Sequence, residues 1–106
     1  MTDKQKQNHF DPGDFPALLE FFPAYLHEDF GEEYGSAAKA IAALLSDASG
    51  DQIYNVRQEW TTLRKHFVGQ PLQSLQQALG QLGAAWHPQS DDEVRAVDEI
   101  LREAEA

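Results

Sequence analysis

Four carboxylates crowd into six residues in the first third of the chain: Glu28, Asp29, Glu32 and Glu33. His27 stands directly before them, so the stretch offers nitrogen and oxygen ligands for a metal ion as well as a negative surface. Helical zinc sites and di-iron bundles need His and Glu at fixed repeats, which are missing here, as is the spacing of a calcium loop. The pattern favours a binding surface that needs no cofactor or metal, and a small metal-binding enzyme is the weaker alternative.

Sequence signatures of catalysis are missing elsewhere too. The chain has no cysteine, which excludes thiol catalysis and thiolate metal sites. Its serines stand in no nucleophile-elbow context, and no glycine-rich loop is present to cradle a phosphate. We therefore predict no catalytic residues and no enzymatic activity.

The charge balance limits the possible partners. The 106 residues include 8 Lys and Arg against 18 Asp and Glu, giving a formal net charge of -10. Such a chain is poorly suited to displace counterions from nucleic-acid phosphates or to approach an anionic membrane. A basic protein is the better partner. The absence of cysteine, of a signal-peptide core and of a membrane-length apolar run predicts a cytoplasmic protein.

Two blocks of sequence carry most of the negative charge. Residues 91 to 106 hold seven acids and two arginines, and acids at a helix start together with an outer solvated face explain them. Residues 7 to 38 hold seven acids and no Lys or Arg. Their densest part falls at the end of a predicted helix, where negative charge is unfavourable. A solvated acidic loop is one interpretation of this block, and a surface that meets a basic partner is the other.

Apolar residues recur at helical spacing through most of the chain, and no segment is convincing as a strand. The pattern predicts an all-α, compact bundle of about five helices, with a flexible arm at residues 1–8 and one helical domain at residues 9–106. Asp14 is placed to cap the first helix, Pro23 should kink or split it, and Gly31 should end it. Capping boxes are predicted at Ser49–Gln52 and at Ser90–Glu93.

A set of short motifs resembles the small helical immunity proteins of contact-dependent growth inhibition systems (the CdiI type). The motifs are Phe15-Pro16-Ala17-Leu18, then Tyr25-Leu26-His27-Glu28-Asp29-Phe30, then Glu33-Tyr34-Gly35-Ser36 before an alanine-rich segment, Ala37 to Leu45. The resemblance covers about residues 15 to 65. Two departures from the family pattern are Phe30, where the family often has Trp, and Pro23.

The resemblance implies a cytoplasmic protein that binds the C-terminal toxin domain of a cognate exported protein and neutralises it. Such toxins are commonly nucleases, and a nuclease is basic where it binds phosphates. We therefore expect a one-to-one complex with a basic, RNase-like toxin domain whose substrate site an acidic surface occludes. A general acidic interaction module or adaptor with another basic target is the main alternative.

Residue chemistry separates two roles within the motifs. Gly35 permits an unusual turn and Ser36 caps a helix, while Tyr25, Phe30 and Tyr34 are expected to be structural. Asp29 is a candidate buried acceptor that fixes the turn through His27. The expected toxin contacts are, in order of preference, Glu28, Glu32 and Glu33, then Asp11 and Asp14, and last Asp29.

Overall fold

The computed structural model describes residues 10–104, and within them the chain is helical without strands. After a 3₁₀ turn at Pro12–Asp14 come six helices: α1 Pro16–Tyr25, α2 Phe30–Glu33, α3 Ala37–Asp47, α4 Gly50–His66, α5 Leu72–Gln81 and α6 Asp91–Glu103. The all-α class is confirmed, and the five helices longer than one turn agree with the predicted number. The predicted arm at residues 1–8 lies outside the described residues.

Two of the predicted helix starts form as the sequence indicates. Ser36 is the N-cap of α3, and its Oγ accepts the Lys39 backbone N–H at 3.2 Å. The capping box of α4 is complete, because Ser49 Oγ accepts the Gln52 N–H and Gln52 Oε1 accepts the Ser49 N–H. Local sequence chemistry is enough to place both ends.

The capping box predicted at the start of α6 is wrong. Ser90 is the N-cap but makes no side-chain capping bond. The Glu93 carboxylate instead accepts the Gln89 backbone N–H at 3.0 Å and the Trp86 indole N–H at 3.2 Å. Trp86 is almost fully buried, so Glu93 satisfies an indole donor that the core would otherwise leave unpaired.

The prediction that Asp14 caps α1 is also wrong. Asp14 lies in the 3₁₀ turn, and Phe15 occupies the N-cap position without a side-chain capping bond. The cap comes from α4: Glu59 Oε2 accepts the Ala17 N–H at 3.1 Å and Oε1 accepts the Leu18 N–H at 3.0 Å. A carboxylate 41 residues away therefore satisfies two free donors of the first turn.

Helix α1 contains Pro23 and ends two residues later, at Tyr25, so the helical segment is split as one form of the prediction has it. Gly31 does not end a helix, which corrects that prediction. It lies inside α2, and the left-handed residue after α2 is Gly35, with φ at 96°. The split places the acidic stretch in a turn and a short helix beyond α1.

The core forms where α1 packs on α3 and α4, and where α3 packs on α6. Trp60 and Trp86 are core residues, with their ring centroids 6.4 Å apart and the planes 22° from parallel. The largest fully buried side chains include Leu18, Phe22, Leu26, Ile41, Leu44, Leu63, Leu79 and Leu82. None of the helices in residues 10–104 is both long enough and apolar enough to cross a membrane.

The loop after α5 docks on the end of α1. The Ala85 N–H donates to Leu26 O at 2.7 Å, and Gly83 faces the ring of Pro23. Gly83 has φ at 89°, and a Cβ there would lie 2.6 Å from Pro23 Cγ. This contact braces the segment that leads into the acidic turn.

Gly83→Ala should therefore lower the free energy of unfolding by about 1–3 kcal/mol, because it combines a strained backbone with a clash against a rigid ring. Urea denaturation monitored by circular dichroism measures the change. Gly80→Ala is the matched control, since Gly80 lies inside α5 with nothing within 4 Å of its added Cβ. That variant should gain about 0.5–1 kcal/mol. Equal effects of the two substitutions would contradict the docking role of Gly83.

Candidate functional site

The four clustered carboxylates, Glu28, Asp29, Glu32 and Glu33, lie together and exposed where α1 ends and α2 begins; we name them the acidic corner. Glu32 and Glu33 belong to the four-residue α2, beyond the end of α1. Their unfavourable effect on the carboxyl end of α1 is therefore smaller than the sequence indicates. The last turn of α1 holds no basic residue.

The His27 ring fixes the geometry of the acidic corner. Its Nδ1 accepts the Asp29 backbone N–H at 3.0 Å, and its Nε2 lies 2.9 Å from Glu33 Oε1. Because Nδ1 acts as an acceptor, the proton of the neutral ring lies on Nε2 and is donated to Glu33. One imidazole thus joins the start of the turn to the end of α2.

The prediction that Asp29 is a buried acceptor is wrong. Its side chain is exposed and makes no capping bond to α2, for which it is the N-cap residue. The link to His27 runs through the Asp29 backbone N–H, while Asp29 O accepts the N–H groups of Glu32 and Glu33 at 3.1 and 2.9 Å. The Asp29 carboxylate is therefore left for the surface, like those of Glu28 and Glu32.

Aromatic residues hold the acidic corner on the helical core. The Tyr25 hydroxyl donates to Asp47 Oδ2 at 2.8 Å, and the rings of Tyr25 and Tyr34 stack with centroids 6.4 Å apart. Phe30 packs, partly buried, against the core. The hydrogen bond to Asp47 raises the pKa of Tyr25, and partial burial together with Glu33 raises the pKa of Tyr34. Both phenols therefore stay protonated through the neutral range.

The chain leaves the acidic corner through Gly35 and Ser36. The left-handed backbone of Gly35 turns the chain out of α2, and Ser36 immediately caps α3. The predicted structural role of both residues agrees with these positions. The aliphatic part of Lys39 lies beside Gly35, with its Cδ 3.6 Å from the position of an added Cβ.

Asp11 and Asp14, the other predicted contact residues, lie at the opposite end of α1. Asp11 caps the 3₁₀ turn, where its Oδ1 accepts the Gly13 N–H at 2.9 Å. The adjacent Phe10 ring contacts Phe67, with centroids 5.6 Å apart, at the carboxyl end of α4. The ten residues of α1 span roughly 15 Å. The structure thus brings together four of the six predicted contacts and separates the other two.

The sequence reasoning missed a group of cations. Residues 40 to 65 hold three acids and three bases, so the net charge of this segment is zero and does not reveal a positive surface. On α4, however, Arg57, Arg64 and Lys65 line one cleft, and Arg102 of α6 lines the same cleft. Their spacing of seven and eight residues is the signal that could have found them, because it places the three on one helical face.

Two acids of α6 accept hydrogen bonds from other parts of the fold, Glu93 and Asp98. Asp98 accepts from the Trp60 indole N–H at 2.6 Å and from Arg64 Nε at 3.0 Å. Within residues 10–104, no three His, Asp or Glu side chains converge as a set of metal ligands. Within the described residues, the acidic corner is therefore the main cluster of exposed carboxylates, and of its members Glu33 has a side-chain partner in His27.

The chain matches no protein-family model, no curated protein and no solved structure. The resemblance to immunity proteins accordingly depends on the motif residues themselves. What those residues do in the fold is the basis for a functional proposal.

Proposed function

We propose that the protein is an immunity protein that binds the toxin domain of a contact-dependent growth inhibition system in the cytoplasm of the producing cell. It neutralises a basic, RNase-like nuclease in a one-to-one complex, by occluding the substrate site and without catalysis or a cofactor. The acidic corner is the observation that supports this proposal most: four exposed carboxylates on a turn that internal contacts hold in place.

The charge of the acidic corner suits a nuclease target. A nuclease presents cations where the phosphates of its substrate bind, and carboxylates can occupy the same positions. The four side chains lie within six residues, and among partners in residues 10–104 only Glu33 bonds to another side chain, that of His27. A concentrated field of this kind speeds encounter with a positive surface and selects against negative ones.

The internal contacts of the acidic corner also favour binding. A surface whose shape is fixed before the encounter loses less conformational entropy when the partner arrives. His27 holds the turn at two points, and the stacked pair of Tyr25 and Tyr34 anchors it to the core. These contacts support the interpretation that the histidine and tyrosines of the motifs form the scaffold, while the acids contact the toxin.

Co-expression with the toxin domain encoded immediately upstream tests the proposal. Cells that carry the protein should survive induction of the toxin, whereas cells with an empty vector should die. The two proteins should also co-purify in equal amounts. Death at the same rate in both cultures overturns the proposal, and capture of a basic protein unrelated to any toxin would favour the adaptor function in its place.

A further inference from the structure

A cleft of about 330 Å³ opens between α4 and α6. Trp60 and Leu101 contribute buried apolar surface to it, and Val68, three-quarters exposed, adds an apolar side chain. The volume lies at the lower end of the range for small-molecule sites, which are mostly apolar with a few fixed polar groups. The cleft therefore has the size and the surface of a site for a small ligand.

The cleft is positive in a strongly negative protein. Residues 10–104 contain six Lys and Arg, and four of them line it: Arg57, Arg64, Lys65 and Arg102. Asp98 is the one carboxylate among the lining residues of the described chain. An excess of positive charge is thus concentrated here, although the whole chain carries a net charge of -10.

Two of the cations are held in place. Arg64 donates from Nε and Nη2 to Asp98, with distances of 3.0 and 3.1 Å, and the same carboxylate accepts the Trp60 indole N–H. Arg57 Nε donates to Leu101 O at 2.8 Å, which ties α4 to the last turn of α6. All four bonds are partly buried. They fix the two helices that form the walls of the cleft.

The other two cations are available for a ligand. Lys65 on α4 and Arg102 on α6 are exposed, one on each wall. Neither makes a side-chain hydrogen bond or an ion pair with another residue between 10 and 104. An ammonium and a guanidinium facing one space suit a carboxylate or a phosphate group.

We propose that this cleft binds a small organic anion with an apolar body. Its carboxylate or phosphate group lies between Lys65 and Arg102, and its apolar part packs against Val68 and the cleft-lining atoms of Leu101. The inference is independent of the toxin-binding proposal, because it uses none of the residues of the acidic corner.

Titration of the ¹⁵N-labelled protein with phenyl phosphate, followed by NMR at constant ionic strength, tests the site. Saturable shifts are expected at the Trp60 indole and at the amides of Lys65 and Val68. Inorganic phosphate supplies only the anionic group and benzyl alcohol only the apolar body. Each should bind at least roughly tenfold more weakly than phenyl phosphate. Phenylacetate, titrated in parallel, shows which anionic group the site prefers. The proposal fails if neither aromatic anion saturates, or if inorganic phosphate binds as well as phenyl phosphate.

Neutral substitutions identify the residues that hold the anion. Lys65→Gln and Arg102→Gln should each weaken the tighter aromatic anion roughly tenfold. Arg95→Gln is the matched control, because Arg95 lies exposed on α6 outside the cleft, 3.6 Å from Asp92. It removes the same charge and should leave binding unchanged. All three side chains are exposed, so the fold should be retained. Equal weakening by Arg95→Gln would mean that net charge, and not the cleft, attracts the anion.

Discussion

Reversing two charges of the acidic corner, with Glu28→Lys and Glu32→Lys together, should slow association with the toxin domain roughly 10- to 100-fold at low ionic strength. Both side chains are exposed, and neither forms a side-chain hydrogen bond within residues 10–104, so the turn should keep its shape. Glu33 is left intact because it bonds to His27. Stopped-flow measurements over a range of salt concentrations should also show a weaker salt dependence, since screening then acts on a smaller attraction.

The control places the same two reversals on α6, as Asp91→Lys with Glu99→Lys. Both residues are exposed and belong to the other acidic block. This variant has the same net charge as the first. At about 0.15 M salt its on-rate should stay within about threefold of the unmodified protein, because charges outside the contact are then screened over a Debye length of about 8 Å. Similar slowing by both variants would mean that overall charge drives association. An unchanged rate for the Glu28 and Glu32 variant would remove the acidic corner from the interface.

The helices and several of their ends could be predicted from the sequence because the causes are local. Apolar spacing identifies the buried faces, and caps such as Ser36 and the Ser49–Gln52 pair bond within four residues. Trp60 continues a helical stripe, so its burial also follows from the pattern. Such features need no knowledge of which helices pack together.

The two wrong predictions about helix caps share a different cause, which is competition from partners outside the expected cap. Asp14 has the right type and position for a cap, but Glu59 reaches the same donors from α4. Glu93 is placed for a capping box, but the Trp86 indole and a neighbouring backbone N–H take its carboxylate. Which acceptor wins depends on the packing of the helices, and the spacing along the chain does not contain that information.

The acidic corner was predictable as a composition but not as a geometry. Four acids in six residues are visible in the sequence, whereas the role of the Asp29 backbone as the partner of His27 is not. The positive cleft was hidden for the opposite reason. Its α4 cations are interspersed with acids along the sequence, so their charges cancel in a sum over residues 40 to 65. The cations of the cleft come together only because three of them share one face of α4 and because α6 brings Arg102 to the same cleft.

Glu59→Ala should lower the free energy of unfolding by about 2–3 kcal/mol, because it leaves two partly buried N–H groups of α1 without acceptors. Both lost bonds involve a carboxylate at a helix N-terminus, where charge and dipole favour the contact. For a domain of this size, such a loss is a large part of a total of roughly 5–15 kcal/mol. Urea denaturation with linear extrapolation gives the change.

Two companion variants separate this cap from general effects on α4. Gln58→Ala changes the exposed neighbour on the same helix and should shift stability by less than about 0.5 kcal/mol. Glu59→Gln keeps one acceptor oxygen but turns an amide N–H₂ toward the second donor, so its loss should fall between the other two. If Glu59→Ala costs no more than Gln58→Ala, the bonds from α4 do not stabilise α1. A larger loss for Glu59→Ala would mean that Glu59 of α4 stabilises the first turn of α1. The other end of α1 leads into the acidic corner, so a residue distant in sequence would then support the helix that carries it.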